Sequence, residues 1–134
     1  MEEYREFGAE ELPRVQALYK EAGWIAYLGD PDQLARAFRT SLCVLGAFQD
    51  DRLIGFIRCV GDGEHIVYVQ DLIVGRAYRR QGIGRILLRK AREAYRHVRT
   101  FALTADASDE NANTFYRAVG MRSYEDAELT GYLW

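Results

Sequence analysis

Arg79-Arg80-Gln81-Gly82-Ile83-Gly84 lies between a β-type run, Ile66 to Val74, and an amphipathic run, Ile83 to Val98. Two glycines one residue apart at a strand-to-helix junction let a ligand approach the backbone closely. The first N–H groups of the new helix have no intrahelical acceptors, so an anion, phosphate above all, is their natural partner. Positive charge gathers around them. From Arg76 to Arg99, half of the 18 basic residues fall within 24 positions, against one acid, Glu93. Such a cluster attracts a polyanionic small molecule or a nucleic-acid backbone, or it is simply a solvated helix face. Asp71 is the other charged group of interest. A carboxyl among the apolar residues of its run suits a general base or a substrate anchor, and equally a structural hydrogen-bond acceptor. Strict alternation sets it with Val67, Val69 and Ile73, opposite Tyr68, Gln70, Leu72 and Val74; a bulge would reassign those faces.

Other chemistries lack their residues. The two histidines, His65 and His97, stand far apart, His65 beside a turn, so no metal constellation is expected. Cys43 and Cys59 lie in apolar β-type runs without a Cys-x-x-Cys spacing and read as buried thiols. No Gly-x-x-x-x-Gly-Lys-Ser/Thr loop occurs, which argues against a nucleoside triphosphatase. Without a helix-turn-helix, zinc-finger or RNA-binding sheet pattern, the basic stretch is not expected to bind nucleic acid.

The elements that must carry these residues are legible in outline. A length of 134 residues predicts one domain, 1–134, with a full core, and 49% hydrophobic against 28% charged residues argues against disorder. No apolar run approaches the roughly 20 residues that span a bilayer, and the first residues lack a signal-peptide pattern, so no membrane partner and a cytoplasmic location are expected. Tyr4 to Phe7 reads as a strand. Leu12, Val15, Leu18 and Tyr19 recur at helical spacing up to Gly23, and Asp30-Pro31 caps a second helix carrying Leu34, Ala37, Phe38 and Leu42. Val44 to Phe48 and Leu53 to Val60 flank a hairpin turn at 49–52, and a second turn at 61–64 leads into Ile66 to Val74. A helix of about four turns follows from Ile83 to Val98, then a strand from Phe101 to Thr104, a helix from Asp109 to Val119 stopped by Gly120, and a last strand ending at Trp134. The order βααβββαβαβ implies an α/β protein of α+β type, with a mixed, mostly antiparallel twisted sheet flanked by helices.

Order and residues together resemble the GNAT superfamily of acyl-CoA-dependent N-acetyltransferases, over nearly the whole chain. The family signature of Gln or Arg, two free positions, Gly, one free position and Gly or Ala is met by Arg79, Gly82 and Gly84. The later pattern Asn-x-x-Ala-x-x-Phe-Tyr-x-x-x-Gly-Phe is similar to Asp109, Ala112, Phe115, Tyr116, Gly120 and Met121, with Asp in place of Asn and Met in place of Phe. An ionised Asp109 cannot donate to a pantetheine arm as Asn would, and a helix cap is its simplest role.

The resemblance implies acetyl transfer from acetyl-CoA, with no metal, to a primary amine of a small metabolite by direct transfer in a ternary complex. A non-catalytic acyl-CoA-binding or sensory module is the alternative. Backbone groups of Gln81, Gly82, Ile83, Gly84 and Arg85 would hold the pyrophosphate. Arg79 or Arg80 would reach the 3′-phosphate or raise the encounter rate. Leu72, Ile73 and Val74 would pair with pantetheine as a neighbouring strand would. Tyr116 matches the proton donor to the departing thiolate: a tyrosine of unperturbed pKa about 10 can protonate a thiolate whose conjugate acid lies near about 8.5. Asp71 stands at the expected transfer point as base or anchor. Trp24, Tyr27, Arg58, Tyr68, Gln70 and Tyr132 are acceptor-site candidates; aromatics at such places are more often core, although tyrosines with polar tips also suit a partly wet pocket. An open sheet edge permits a homodimer, with Trp134 at an interface or in the core.

Overall fold

In the computed structural model, which describes residues 2–134, the chain forms two compact units, Met1–Leu103 and Thr104–Trp134. The first holds strands β1 (Glu2–Glu6), β2 (Cys43–Gln49), β3 (Arg52–Val60), β4 (Ile66–Val74) and β5 (Thr100–Ala102), with helices α1 (Leu12–Ala22), α2 (Pro31–Arg39) and α3 (Ile83–Ala94). The second holds α4 (Glu110–Ala118). The sheet order is β1-β2-β3-β4-β5, antiparallel except for the parallel β4–β5 pair. The α/β fold class and the mostly antiparallel sheet read from the sequence are both present.

Local chemistry sets the boundaries. Asp30 accepts hydrogen bonds from the N–H groups of Asp32 and Gln33, with Pro31 opening α2. Asp50 and Asp51 both take positive φ, 51° and 62°, matching the right-handed strand twist that a two-residue hairpin requires. At the next turn Asp62 Oδ1 accepts from the N–H groups of Glu64, His65 and Ile66, and these three bonds hold its carboxyl down at about 2. β3 is buried along nearly its whole length, so both sheet faces are covered. On one, α1 and α2 bring Val15, Leu18, Tyr19, Leu34 and Phe38 onto Phe48, Leu53, Phe56 and Ile73. The other takes α3, whose Ile83, Leu87, Leu88 and Ala91 are buried.

Three expectations are corrected. α3 ends at Ala94 rather than Val98: Tyr95 leaves helical geometry, and Val98, still buried, bonds back to Tyr95 in a turn. Apolar periodicity there reports burial rather than helix. Second, the register passes from Arg58↔Asp71 to Cys59↔Val69, so Gln70 is an extra residue bulged out of β4. Because antiparallel partners share a face, Asp71 and Ile73 lie with Arg58 and Phe56, while Val69 lies with Cys59 on the other. Strict alternation is therefore broken at Gln70. Third, the expected final strand is absent: after α4 the backbone bonds into local turns over residues 123–129, Glu128 has a left-handed φ of 60°, and no ladder follows. Tyr132, Leu133 and Trp134 are almost fully exposed, so Trp134 is not core. Aromatic β-propensity forms no strand without a pairing partner.

Candidate active site

The donor side begins where β4 and β5 part. Their parallel ladder runs only from Ile66↔Thr100 to Tyr68↔Ala102, whereas β4 stays paired with β3 out to Val74. Beyond Tyr68 the β5-side edge of β4, including Leu72, Ile73 and Val74, therefore carries backbone groups with no strand opposite. Arg79 folds back to donate from Nε to the Val74 carbonyl at 3.2 Å. Arg80 then adopts a φ of 65° and Gly82 one of 82°. Arg80 carries the steric cost of that conformation; Gly82, without a Cβ, does not. A Cβ at Gly82 would meet nothing within 4 Å, so the space over the turn is open.

Gly82 is also the N-cap of α3, and no side chain caps that helix; its first turn has no acid. The first intrahelical bond runs from Ile86 N–H to Gly82 O, leaving the N–H groups of Ile83, Gly84 and Arg85 for another acceptor. Arg79, Arg80, Gln81 and Arg85 are exposed around them, while the Ile83 side chain is buried as the helix anchor. Backbone donors, the positive helix end and exposed cations converge on one open place.

On the α1/α2 face a closed polar network sits within aromatic packing. Asp71, 1% exposed, accepts through Oδ2 from Tyr19 Oη at 2.5 Å and from Arg58 Nε at 2.6 Å. Arg58, 4% exposed, donates from Nη1 to Ser41 Oγ at 3.3 Å, and Ser41 donates to the Ala37 carbonyl at 2.7 Å. The guanidinium also lies 5.0 Å from the centre of the Phe38 ring and 5.8 Å from that of Tyr27. Burial alone would weaken the charge on Arg58, but Asp71, then Tyr19 and Tyr27, more than offset it. Burial, followed by the Asp71 carboxylate, pushes the Tyr19 phenol far upward, so it remains a donor.

Tyr27 stacks on Tyr19 with centroids 4.5 Å apart, and Trp24 stacks on Tyr19 at 6.0 Å. Gln70, pushed out by the bulge, donates from Nε2 to Tyr27 Oη at 2.8 Å. The structure thus brings Trp24, Tyr27, Arg58, Gln70 and Asp71 together. Tyr68 is half-buried at the end of the β4–β5 ladder, and Tyr132 lies exposed in the second unit. Sequence reasoning missed Tyr19 and Ser41. The signal for Tyr19 was a tyrosine on the apolar stripe of α1, because a buried phenol needs a polar partner. Asp71 Oδ1 is buried without a hydrogen-bond partner, the one open acceptor of this network.

In the second unit Asp109 caps α4 by accepting from the Ala112 N–H at 3.0 Å, the role its type predicts. Tyr116 is half-buried on α4; burial, then the Asp109 charge, raises its phenol above the ordinary value, so it is protonated at neutral pH. Among the described residues no cluster of three or more His, Cys, Asp or Glu could hold a metal, and no helix is long and apolar enough to cross a membrane.

Residues 4–121 match the Acetyltransferase (GNAT) family. The chain belongs to the GNAT family of acetyltransferases. Its structure is similar, with a TM-score of 0.85 and 33% identity over 100% of this chain and 97% of the other, to a GNAT-family acetyltransferase of Streptococcus pneumoniae. The PaiA N-acetyltransferase of Thermoplasma acidophilum, in complex with coenzyme A, aligns at a TM-score of 0.77 and 20% identity over 91% of this chain and 90% of that one. An aminoglycoside acetyltransferase from an uncultured soil metagenomic sample, in complex with sisomicin, aligns at 0.75 and 18% over 99% and 95%. At such identities these two likenesses speak for the fold. None of the curated proteins matches the chain.

Family membership makes acyl transfer from acetyl-CoA the activity of this GNAT protein. Its own residues fit that cosubstrate: the open space over Gly82, the uncapped α3 terminus and the free edge of β4 suit a pyrophosphate joined to a peptide-like arm.

Proposed function

We propose that this GNAT protein is an N-acetyltransferase that moves the acetyl group of acetyl-CoA directly to a primary amine of a small metabolite in a ternary complex. The parting of β4 from β5 after Tyr68 carries this reading, because it leaves one strand edge free beside an uncapped helix start. When bound, acetyl-CoA supplies an activated thioester. The N–H groups of Gly82 to Arg85 hold its pyrophosphate, Arg79 and Arg80 attract its phosphates, and the main chain of Leu72 to Val74 aligns the pantetheine. A backbone N–H near Val74 stabilises the developing oxyanion without any side chain. Tyr116, kept protonated by burial, delivers the proton to the departing thiolate.

Asp71 acts chiefly as a positioning residue. Its Oδ2 is held by both Tyr19 and Arg58, which fixes the stacked rings of Tyr19, Trp24 and Tyr27 and, through Tyr27, the Gln70 amide. The wall so formed is aromatic, and its one carboxylate is neutralised by Arg58. It favours an amine that arrives uncharged and carries an apolar body, with Tyr68 as a further contact.

Coenzyme A release measured over a panel of primary amines tests the reading. The wild type is expected to turn over at least one amine, and Tyr116→Phe to lower kcat by about a hundredfold, the usual weight of a general acid. Tight acetyl-CoA binding with no turnover on any amine would favour a sensory module instead.

A further inference from the structure

Cys43 and Cys59 belong to none of this chemistry, yet they are direct partners across β2 and β3. Antiparallel partners project to the same face, with Cα atoms about 4.5 or 5.5 Å apart according to the ladder position. Both separations fall within the roughly 4.4–6.8 Å that a disulfide spans. Both cysteines are free, and their side chains already share a hydrogen bond. Their surroundings differ. Cys59 is fully buried, whereas Cys43, the first residue of β2, is half-buried and open to a small oxidant.

The shared hydrogen bond divides the labour. It lowers the Cys43 thiol against the opposing effects of burial and Glu6, and it raises Cys59, whose burial pushes the same way. Cys43 is thus the more readily deprotonated of the two, and Cys59 the neighbour that keeps its proton.

We propose that Cys43 and Cys59 form a peroxide-reactive site: hydrogen peroxide oxidises Cys43, and Cys59 then closes a reversible cross-strand disulfide. In the first step the Cys43 sulfur attacks one peroxide oxygen and the O–O bond breaks. Sulfur is oxidised to a sulfenic acid, and the second oxygen leaves as hydroxide and takes up the proton lost by Cys43, forming water. In the second step the Cys59 sulfur attacks the sulfenic sulfur and the S–O bond breaks. The departing hydroxide takes the Cys59 proton as a second water. Two thiols and one peroxide give one disulfide and two waters. A dithiol reductant reverses the bond.

The bond would cross-strap the sheet beside the acceptor network. Cys59 follows Arg58 in β3, at the place where the β3–β4 register shifts, and Arg58 holds Asp71 from the other face. Closing the pair draws β2 and β3 together next to that ion pair and is expected to change the KM for the amine more than the affinity for acetyl-CoA.

The test treats the reduced full chain with equimolar hydrogen peroxide, then alkylates under denaturing conditions and reads intact mass and peptide map. Expected are the loss of two hydrogen atoms, both cysteines protected from alkylation, a cross-linked Cys43–Cys59 peptide, and recovery of both thiols with dithiothreitol. Cys59→Ser should stop at a Cys43 sulfenic acid trapped by dimedone, and Cys43→Ser should leave Cys59 a thiol. Wild-type protein whose cysteines both remain alkylatable, or whose Cys43 goes to sulfinic acid or to an intermolecular disulfide, would overturn the proposal.

Discussion

The start of α3 and the network around Asp71 solve opposite problems with opposite materials. At α3 the protein leaves polar groups open: the N-cap is a glycine, no side chain caps the helix, and the surrounding arginines are exposed. At Asp71 nearly every polar group is enclosed and paired, with Tyr19, Arg58 and Ser41 linked behind aromatic rings. α2 supplies the control, since Asp30 closes its N-terminus with two hydrogen bonds. A site for a strongly charged cosubstrate is made from backbone left unsatisfied. The proposed acceptor wall is made instead from side chains fixed against one another.

The contrast breaks most severely at Arg58. Arg58→Ala strands a buried carboxylate, and urea denaturation is expected to show a loss of about 3–5 kcal/mol, the usual cost of removing one partner from a buried pair. The paired replacement Arg58→Met with Asp71→Leu should recover most of that stability and keep acetyl-CoA binding while losing amine turnover. If Arg58→Ala were as stable as the wild type, the network would not be the keystone of this face.

A bulky change at Gly82 probes the other region. Gly82→Val must take a left-handed φ and places carbon in the open cradle, so acetyl-CoA affinity by calorimetry should fall at least about tenfold, or about 1.4 kcal/mol. Truncating Arg79 or Arg80 should cost less, because charge on the rim attracts without fixing geometry. Equal losses for all three variants would mean that side chains, not backbone, make the cradle.

The smallest effect is at Asp62, which belongs to neither region. Its carboxyl is lowered to about 2 in the folded chain by three backbone N–H groups, so its stabilisation is complete above the unfolded value near about 3.8. It fades as pH falls toward 2. Asp62→Ala should therefore melt earlier than the wild type at pH 6, with the gap narrowing steadily as pH falls toward 2. A gap that persisted at low pH would place the effect in packing rather than ionisation.

Legibility followed the same division. The α3 cradle could be read from six consecutive residues because glycine, strand end and helix start act locally. Asp30, Asp109 and the Asp50-Asp51 turn were legible for the same reason. The Asp71 network was not, since Tyr19 lies 52 positions from Asp71 and Arg58 lies 13, joined only by tertiary pairing. The bulge at Gln70, which alone gives Asp71 its face, has no sequence mark such as a glycine. Periodicity overran α3 because Val98 is buried in a turn, and β-type composition suggested a last strand over Thr130 to Trp134 where, among the described residues, no strand pairs with it.

A crystal structure with acetyl-CoA tests the central claim most directly. Expected are pyrophosphate density on the N–H groups of Gly82 to Arg85, pantetheine along the free edge of β4 at Leu72 to Val74, and the thioester beside the Asp71–Tyr27 wall. Coenzyme A bound away from Arg79 to Gly84, with that edge of β4 left bare, would contradict it.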